Sequence, residues 1–182
     1  MIKEFTIHAK PTNKKATLAF AACFLSSFAI LTLSTFMEKY RGIVQLLGMG
    51  LLVAALLFYT KYMAPKYFYE IVFDSEGTPL FIVNQVTGKR MTTLCRVGLY
   101  EIVKVELEGA EARRSHKTPA GVKKYSYVPT LSPECAARIY TSGRHEKAEI
   151  LIEVSEEIAR LISDYAKEAR ELMAMREDEE EY

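Results

Sequence analysis

Two long apolar runs near the amino terminus constrain the fold of this chain more than any other feature. The first extends over residues 16–37 and the second over residues 42–60, and neither contains Asp, Glu, Lys, Arg or His. A helix needs roughly 20 apolar residues to cross about 30 Å of hydrocarbon. As buried core helices the runs would need a large soluble core, but only about a hundred residues follow them. The runs therefore predict two transmembrane helices, over residues 16–37 and 42–62.

The segment between the runs, Glu38-Lys39-Tyr40-Arg41, is only long enough to reverse the chain, so the helices should form a hairpin with both ends on one side of the membrane. Lysine is concentrated at those two ends, at positions Lys3, Lys10, Lys14, Lys15, Lys61 and Lys66. Because positive residues favour the cytoplasmic side, this excess predicts a multi-pass protein of the inner or plasma membrane with both termini in the cytoplasm. Uncharged spans are typical of an anchor, since transport pathways usually contain intramembrane ionisable residues.

Small residues recur at helix-contact spacing within both runs. In the first run they are Ala19, Cys23 and Ser27, and in the second they are Gly50 and Ala54. Rows of small residues four positions apart allow two helix backbones to approach closely in lipid. We interpret these rows as packing between the two helices of the hairpin, and a face that forms a homo-oligomer is the alternative.

Beyond Ala64-Pro65 the apolar period changes from helical to two, which is typical of half-buried strands. About seven strands are predicted, over residues 67–73, 80–83, 90–95, 103–108, 124–128, 136–141 and 149–154, and their short connections favour an antiparallel meander. Ser155 is a good N-cap for a final helix, whose apolar stripe extends from Ile158 to Leu172. The predicted fold class is therefore α+β: a two-helix transmembrane hairpin followed by an antiparallel sheet that the last helix covers.

The order of elements from Tyr67 to Leu172 resembles the pleckstrin-homology fold. The resemblance also rests on Leu99-Tyr100-Glu101-Ile102 ahead of a strand and on Ile150–Val154 leading into the helix capped by Ser155. As a whole, the chain resembles bacterial membrane proteins in which a two-helix hairpin precedes a cytosolic pleckstrin-homology-like domain, a family mostly of unknown function. The resemblance implies a partly open barrel over residues 66–175. This barrel would lie between a hairpin at residues 16–63, preceded by a cytosolic segment at residues 1–15, and an acidic tail at residues 176–182.

A basic loop at residues 109–124 is the candidate contact surface of the soluble part. Its cationic side chains are Arg113, Arg114, Lys117, Lys123 and Lys124. Near an anionic leaflet each Lys or Arg contributes about 1 kcal/mol of attraction, and the hairpin would keep the loop close to that surface. The loop is therefore predicted to orient the domain on the inner leaflet or to bind an acidic partner, and a solvated loop without a binding role is the alternative.

The sequence contains no catalytic, metal or nucleotide signature, and no cofactor is predicted. The three cysteines and three histidines lack metal-ligand spacing, Gly-rich phosphate loops are absent, and a formal net charge of +1 argues against nucleic-acid binding. The architecture favours a membrane-anchored interaction module, integral to the lipid bilayer, that presents its domain to a protein partner or the inner leaflet. The alternatives are an accessory or regulatory subunit of a membrane transporter or cell-envelope complex, and an enzyme with an unrecognised site.

Overall fold

The computed structural model describes residues 2–9, 14–109, 113, 116–130, 133, 135–143 and 147–180, the last four of them as backbone only. The chain divides into two compact units. One consists of Met1–Lys10, Lys66–Val128 and Ser132–Tyr182, and the other of Pro11–Pro65 with Pro129–Leu131. The predicted α+β class is confirmed, because two long apolar helices near the amino terminus are followed by two sheets and a carboxy-terminal helix.

The first two helices lie close to their predicted positions. Helix α1 extends over Lys14–Leu33 and continues as a 3-10 turn at Ser34–Phe36, and helix α2 extends over Arg41–Phe58 and continues as a π-helical turn at Tyr59–Met63. With these extensions each helix has 23 residues and is long and apolar enough to cross a membrane. The amide of Ala64 closes the π turn on the carbonyl of Tyr59, and Pro65 then stops the helix because its ring disfavours helical geometry.

The two helices approach closely at Ser27 and Gly48. The Ser27 hydroxyl donates to the carbonyl oxygen of Gly48 over 2.7 Å, and a Cβ atom at Gly48 would lie 2.8 Å from the side chain of Leu31. Of the other predicted small residues, Ala19, Cys23 and Ala54 are half-buried. Gly50 is exposed, and nothing lies within 4 Å of the position its Cβ would take. Close packing therefore centres on Ser27 and Gly48.

The first sheet contains a strand that the sequence analysis did not predict. Its strands are β1 (Phe5–His8), β2 (Pro65–Phe73), β3 (Pro79–Thr87) and β4 (Arg90–Gly98), in the order β1-β2-β3-β4. Strand β1 is antiparallel to β2, with Phe5 opposite Ile71 and His8 opposite Phe68. The segments that precede α1 and follow α2 are therefore neighbouring strands of one sheet.

The second sheet corrects the predicted antiparallel meander. Its strands are β5 (Ile102–Glu108), β6 (Lys123–Tyr127), β7 (Ala136–Ser142) and β8 (Lys147–Ile152), in the order β5-β7-β8-β6. Strand β7 is antiparallel to β5 and β8, but β6 is parallel to β8. A parallel pair needs a long crossover, which β7 and its flanking loops provide. The period-two pattern that identified β6 carries no information about its direction.

Both sheets and helix α3 (Glu156–Glu180) share one hydrophobic core. Fully buried members come from β2, β3, β7, β8 and α3 and include Tyr69, Phe81, Ile139, Ile150 and Ile162. The Tyr69 hydroxyl donates to the carbonyl of Tyr127 and accepts from the amide of Glu153, so this buried polar group is satisfied. Helix α3 continues through Glu180 into the predicted acidic tail, and residues 181–182 lie outside the described part of the chain.

Candidate interaction surfaces

The outer face of the second sheet carries most of the charged side chains of its strands. Alternation along β5 places Lys104, Glu106 and Glu108 on this face. The registers set Glu106 opposite Arg138 on β7 and Tyr140 opposite Glu149 on β8. Because directly opposed residues share a face, charges from three neighbouring strands meet there.

Arg138 is the centre of a buried ionic cluster on this face. Its guanidinium binds both carboxylate oxygens of Glu108, with Nε 2.5 Å from Oε1 and Nη2 2.8 Å from Oε2, and its Nη1 lies 2.7 Å from Oε2 of Glu149. All three side chains are almost fully buried. The guanidinium is hydrogen-bonded to both carboxylates, and the removal of Arg138 would leave two buried negative charges without their cation.

Residues 116–118 of the predicted basic loop lie against this cluster. Nε2 of His116 lies 3.1 Å from Oε2 of Glu149, and the Thr118 hydroxyl donates to the same oxygen over 3.0 Å. Burial alone would raise the pKa of Glu149, but hydrogen bonds from Thr118, His116 and Arg138 outweigh it and hold the pKa below 4.5. The Glu149 carboxylate therefore fastens residues 116–118 to the face of the sheet.

The five predicted cationic residues fall into different environments. Arg113 turns inward and donates from Nη2 to the carbonyls of Pro133, at 3.1 Å, and Glu108, at 3.5 Å. Lys117 is exposed, as are Lys123 and Lys124 at the start of β6. Arg114 lies outside the described residues. Arg113 therefore holds its segment against the sheet, whereas Lys117, Lys123 and Lys124 remain exposed.

The cluster was not predicted from the sequence, although its members were visible as outward positions of predicted strands. Arg138 follows Glu108 by 30 positions in the sequence and precedes Glu149 by 11 positions. They meet only because the sheet order is β5-β7-β8. Opposite charges at outward positions of several strands could have indicated the cluster. Its prediction also requires the strand order, which decides which of these charges meet.

Strand β5 forms one end of the second sheet, and no described strand pairs with its other edge. A groove of about 280 Å³ lies between this strand and α3, and its lining comprises Val105, Leu107, Ala159, Arg160, Ser163, Asp164 and Lys167. Val103 is 55% exposed and Leu107 is 44% exposed. Unpaired backbone groups beside apolar side chains form a surface that can accept another strand.

Cys95 on β4 is a half-buried thiol. Burial raises the pKa of the Cys95 thiol to about 11, which makes the nucleophilic thiolate scarce near neutral pH. Within the described ranges, no group of three or more His, Cys, Asp or Glu side chains is placed to hold a metal ion. No protein-family model, curated protein or solved structure matches the chain.

Proposed function

We propose that the protein is a membrane-anchored interaction module. In this proposal the helical hairpin spans the inner or plasma membrane and holds a pleckstrin-homology-like domain at its cytoplasmic face, where the domain binds a protein partner. The observation that carries the proposal is the pairing of β1 with β2, because these two strands flank the apolar hairpin in the sequence.

The surface of the hairpin supports the role of an anchor. Only 11% of the most apolar window of each helix is buried, whereas a core helix of a soluble protein would be mostly buried. The exposed side chains are large and apolar, as at Leu18, Leu46 and Phe28. Each exposed apolar Å² costs about 25 cal/mol in water, and contact with lipid removes that cost.

Strand pairing supports a common side for the two ends of the hairpin. Hydrogen-bonded strands cannot be separated by a bilayer, so Phe5–His8 and Pro65–Phe73 must lie on the same side if the hairpin spans it. Lys14, Lys15 and Lys61 lie near that end of the hairpin. The preference of positive residues for the cytoplasm favours placing this side inside the cell.

The pleckstrin-homology-like assignment is supported by two four-stranded sheets that share one core with a carboxy-terminal helix. The parallel strand β6 departs from the all-antiparallel pattern expected of that architecture. A protein partner is favoured over the leaflet because Arg113 and His116 are engaged within the domain. The mutual pairing of Arg138 with Glu108 and Glu149 suits a structural clamp better than a catalytic site.

Cysteine labelling tests the anchor and its orientation. In full-length protein with Cys23, Cys95 and Cys135 replaced by alanine, Tyr40→Cys should react with a membrane-impermeant maleimide on intact cells. A matched variant that keeps only the exposed Cys135 should react only after permeabilisation. Reversed labelling would overturn the orientation, and release of the protein from membranes by alkaline carbonate would overturn the anchor.

A second candidate function is an accessory subunit that contacts a larger membrane complex through α2. The observation that favours it is Gly50, which is exposed on α2 with open space around its Cβ position. A small residue on an exposed helix face allows another helix to approach closely in lipid. Copurification of a membrane complex that is lost with Gly50→Leu, but kept when the β5 surface is altered, would support this candidate.

A further inference from the structure

We infer that β5 is a self-association edge, through which two copies of the protein pair as antiparallel strands about a twofold axis beside Val105. This inference rests on the proposed function in one respect, since it names the partner of the anchored module as a second copy of the same chain. It is carried by the open edge of β5, by its charge pattern and by its exposed apolar side chains.

The outer edge of β5 is available for strand pairing. Strand β7 occupies one side of β5, and none of the strands in the described part of the chain occupies the other. In an antiparallel pair, successive residues point their backbone N–H and C=O groups alternately toward and away from the partner strand. About half of the backbone groups of β5 therefore point toward the open edge, where a second strand can satisfy them.

Twofold symmetry limits the register in which two copies of β5 can pair. A twofold axis that joins two antiparallel edge strands is perpendicular to the sheet, and directly opposed side chains must share a face. One residue of β5 must therefore lie directly opposite the same residue of the second copy, and the axis passes between these two residues. A centre at Lys104 or Glu106 would oppose like charges, which is destabilising.

A centre at Val105 removes this conflict. It sets Lys104 of each copy opposite Glu106 of the other, so the symmetric contact contains two cross-strand ion pairs. Within one chain, Lys104 already forms an ion pair with Glu106, whose second oxygen accepts from the Tyr140 hydroxyl over 2.8 Å. Tyr140 lies on the β7 side of β5 and restrains one oxygen of the Glu106 carboxylate, and the other oxygen, which now binds Lys104, is the one that the lysine of a second copy would bind.

The same register also matches the apolar side chains. Val105 lies opposite its own copy, and exposed Leu107 lies two positions further along the regular part of β5, which begins after the register shift between Ile102 and Lys104. The groove between β5 and α3 lies beside these positions, with Ala159 and Ser163 on its helical wall. Apolar side chains of an added strand can fill it, so one register satisfies the backbone, the charges and the apolar surface together.

Membrane anchoring allows two copies to associate through a small interface. A single pair of edge strands buries less than the roughly 800 Å² per partner of a standard interface. Two copies whose hairpins lie in one membrane have a raised effective concentration, which strengthens association without new contacts. The dimer is therefore expected to form in the membrane and to dissociate when the protein is diluted in detergent.

Disulfide crosslinking in native membranes tests this register. Full-length Val105→Cys without the three native cysteines should form a disulfide-linked dimer on mild oxidation, because opposed Cβ atoms in a strand pair are close enough to be bridged. The matched control is Met91→Cys on the exposed edge strand β4 of the first sheet. We expect at least about fivefold more dimer at position 105 than at position 91.

Charge exchange separates this register from random collision. In the Val105→Cys background, Lys104→Glu and Glu106→Lys should each lower the dimer yield about fivefold, because each opposes like charges. The combined exchange K104E/E106K restores opposite charges and should restore the yield. Thermal unfolding of each variant shows whether a lower dimer yield comes from misfolding. If a single variant is misfolded, the dimer yield of the folded K104E/E106K variant still tests the register.

Three results would overturn the inference. These are equal crosslinking at positions 105 and 91, no rescue by the combined exchange, and crosslinking of position 105 to a different protein. Topology labelling is independent of all three, because it reports whether the hairpin spans the membrane. A chain that labels as expected but does not crosslink at position 105 would retain the proposed anchor and lose only the second copy as its partner.

Discussion

The helical hairpin and the second sheet distribute polarity in opposite ways. The hairpin exposes large apolar side chains and keeps a polar contact inside, between Ser27 and Gly48. The second sheet buries charged groups around Arg138 on its outer face and exposes large apolar side chains on its two edge strands, at Val103 and Leu107 on β5 and at Tyr125 on β6. In the hairpin, apolar exposure extends along both helices and fits a lipid surrounding. In the sheet it is limited to the edge strands, with the exposed aliphatic side chains on β5, which fits a local contact with another chain there.

The polar interactions of Ser27 in the hairpin and of Glu149 in the second sheet stabilise different features. In the hairpin, the hydrogen bond from Ser27 accompanies a close approach of two backbones that glycine makes possible. In the sheet, Glu149 joins β8 to β7 through Arg138 and to the loop through His116 and Thr118. The first interaction fits two helices together, whereas the second fixes a loop that could otherwise remain solvated.

The largest expected effect comes from removing the cation of the buried cluster. Arg138→Leu leaves Glu108 and Glu149 buried without their cation and should lower the free energy of unfolding by about 3–5 kcal/mol. The matched control is Arg160→Leu, whose ion pair with Glu156 is exposed and should contribute less than about 1 kcal/mol. Denaturant unfolding of the full chain in detergent micelles, followed by circular dichroism, measures both. Similar losses for the two variants would show that the cluster is not a buried stabilising unit.

Two glycines on α2 test the packing of the hairpin. Gly48→Leu should clash with Leu31, because even a Cβ atom there would lie 2.8 Å from that side chain, and overpacking of this kind costs about 1–3 kcal/mol. Gly50→Leu is the control of identical chemistry, since its Cβ would enter open space. Unfolding by sodium dodecyl sulfate, followed through helical circular dichroism, should separate the two variants. Equal effects would mean that the helices do not pack at Gly48.

The sequence predicted the elements whose signals are local. Two uncharged apolar runs indicated α1 and α2, and alternation at Val103, Val105 and Leu107 indicated β5. Ser155 marked the start of α3, where its carbonyl accepts from the amide of Ala159. Strand β1 was missed because it has four residues and its partner lies beyond the whole hairpin.

The candidate surfaces were harder to predict because they depend on strand order. The basic composition of the loop at residues 109–124 was visible, but the inward contacts of Arg113 and His116 require carbonyl and carboxylate partners from other elements. The direction of β6 and the open edge of β5 likewise follow from the order β5-β7-β8-β6. Period-two alternation identifies a strand and its buried face but leaves its neighbours undetermined.

The smallest predicted effect is a pH dependence that Glu149 gives to the buried cluster. Its pKa is lower in the folded chain than its usual value of 4.5, so the folded state binds fewer protons through this group than the unfolded state. Its stabilising contribution is therefore complete above about pH 4.5 and is lost as the pH falls through the lowered pKa. Each unit by which the pKa is lowered corresponds to about 1.4 kcal/mol.

Unfolding of full-length protein in micelles between pH 7 and pH 3 measures this contribution. Glu149→Gln should lower the stability at pH 7, because Arg138 loses one carboxylate, but should flatten the decline below about pH 4.5. Glu171→Gln on the exposed surface of α3 is the matched control and should keep the wild-type profile. The two substitutions remove the same charge, so a difference between their profiles isolates the buried cluster from the general effect of acid on the chain. Parallel profiles for the two variants would show that the Glu149 carboxylate is not a stabilising anion in the folded sheet.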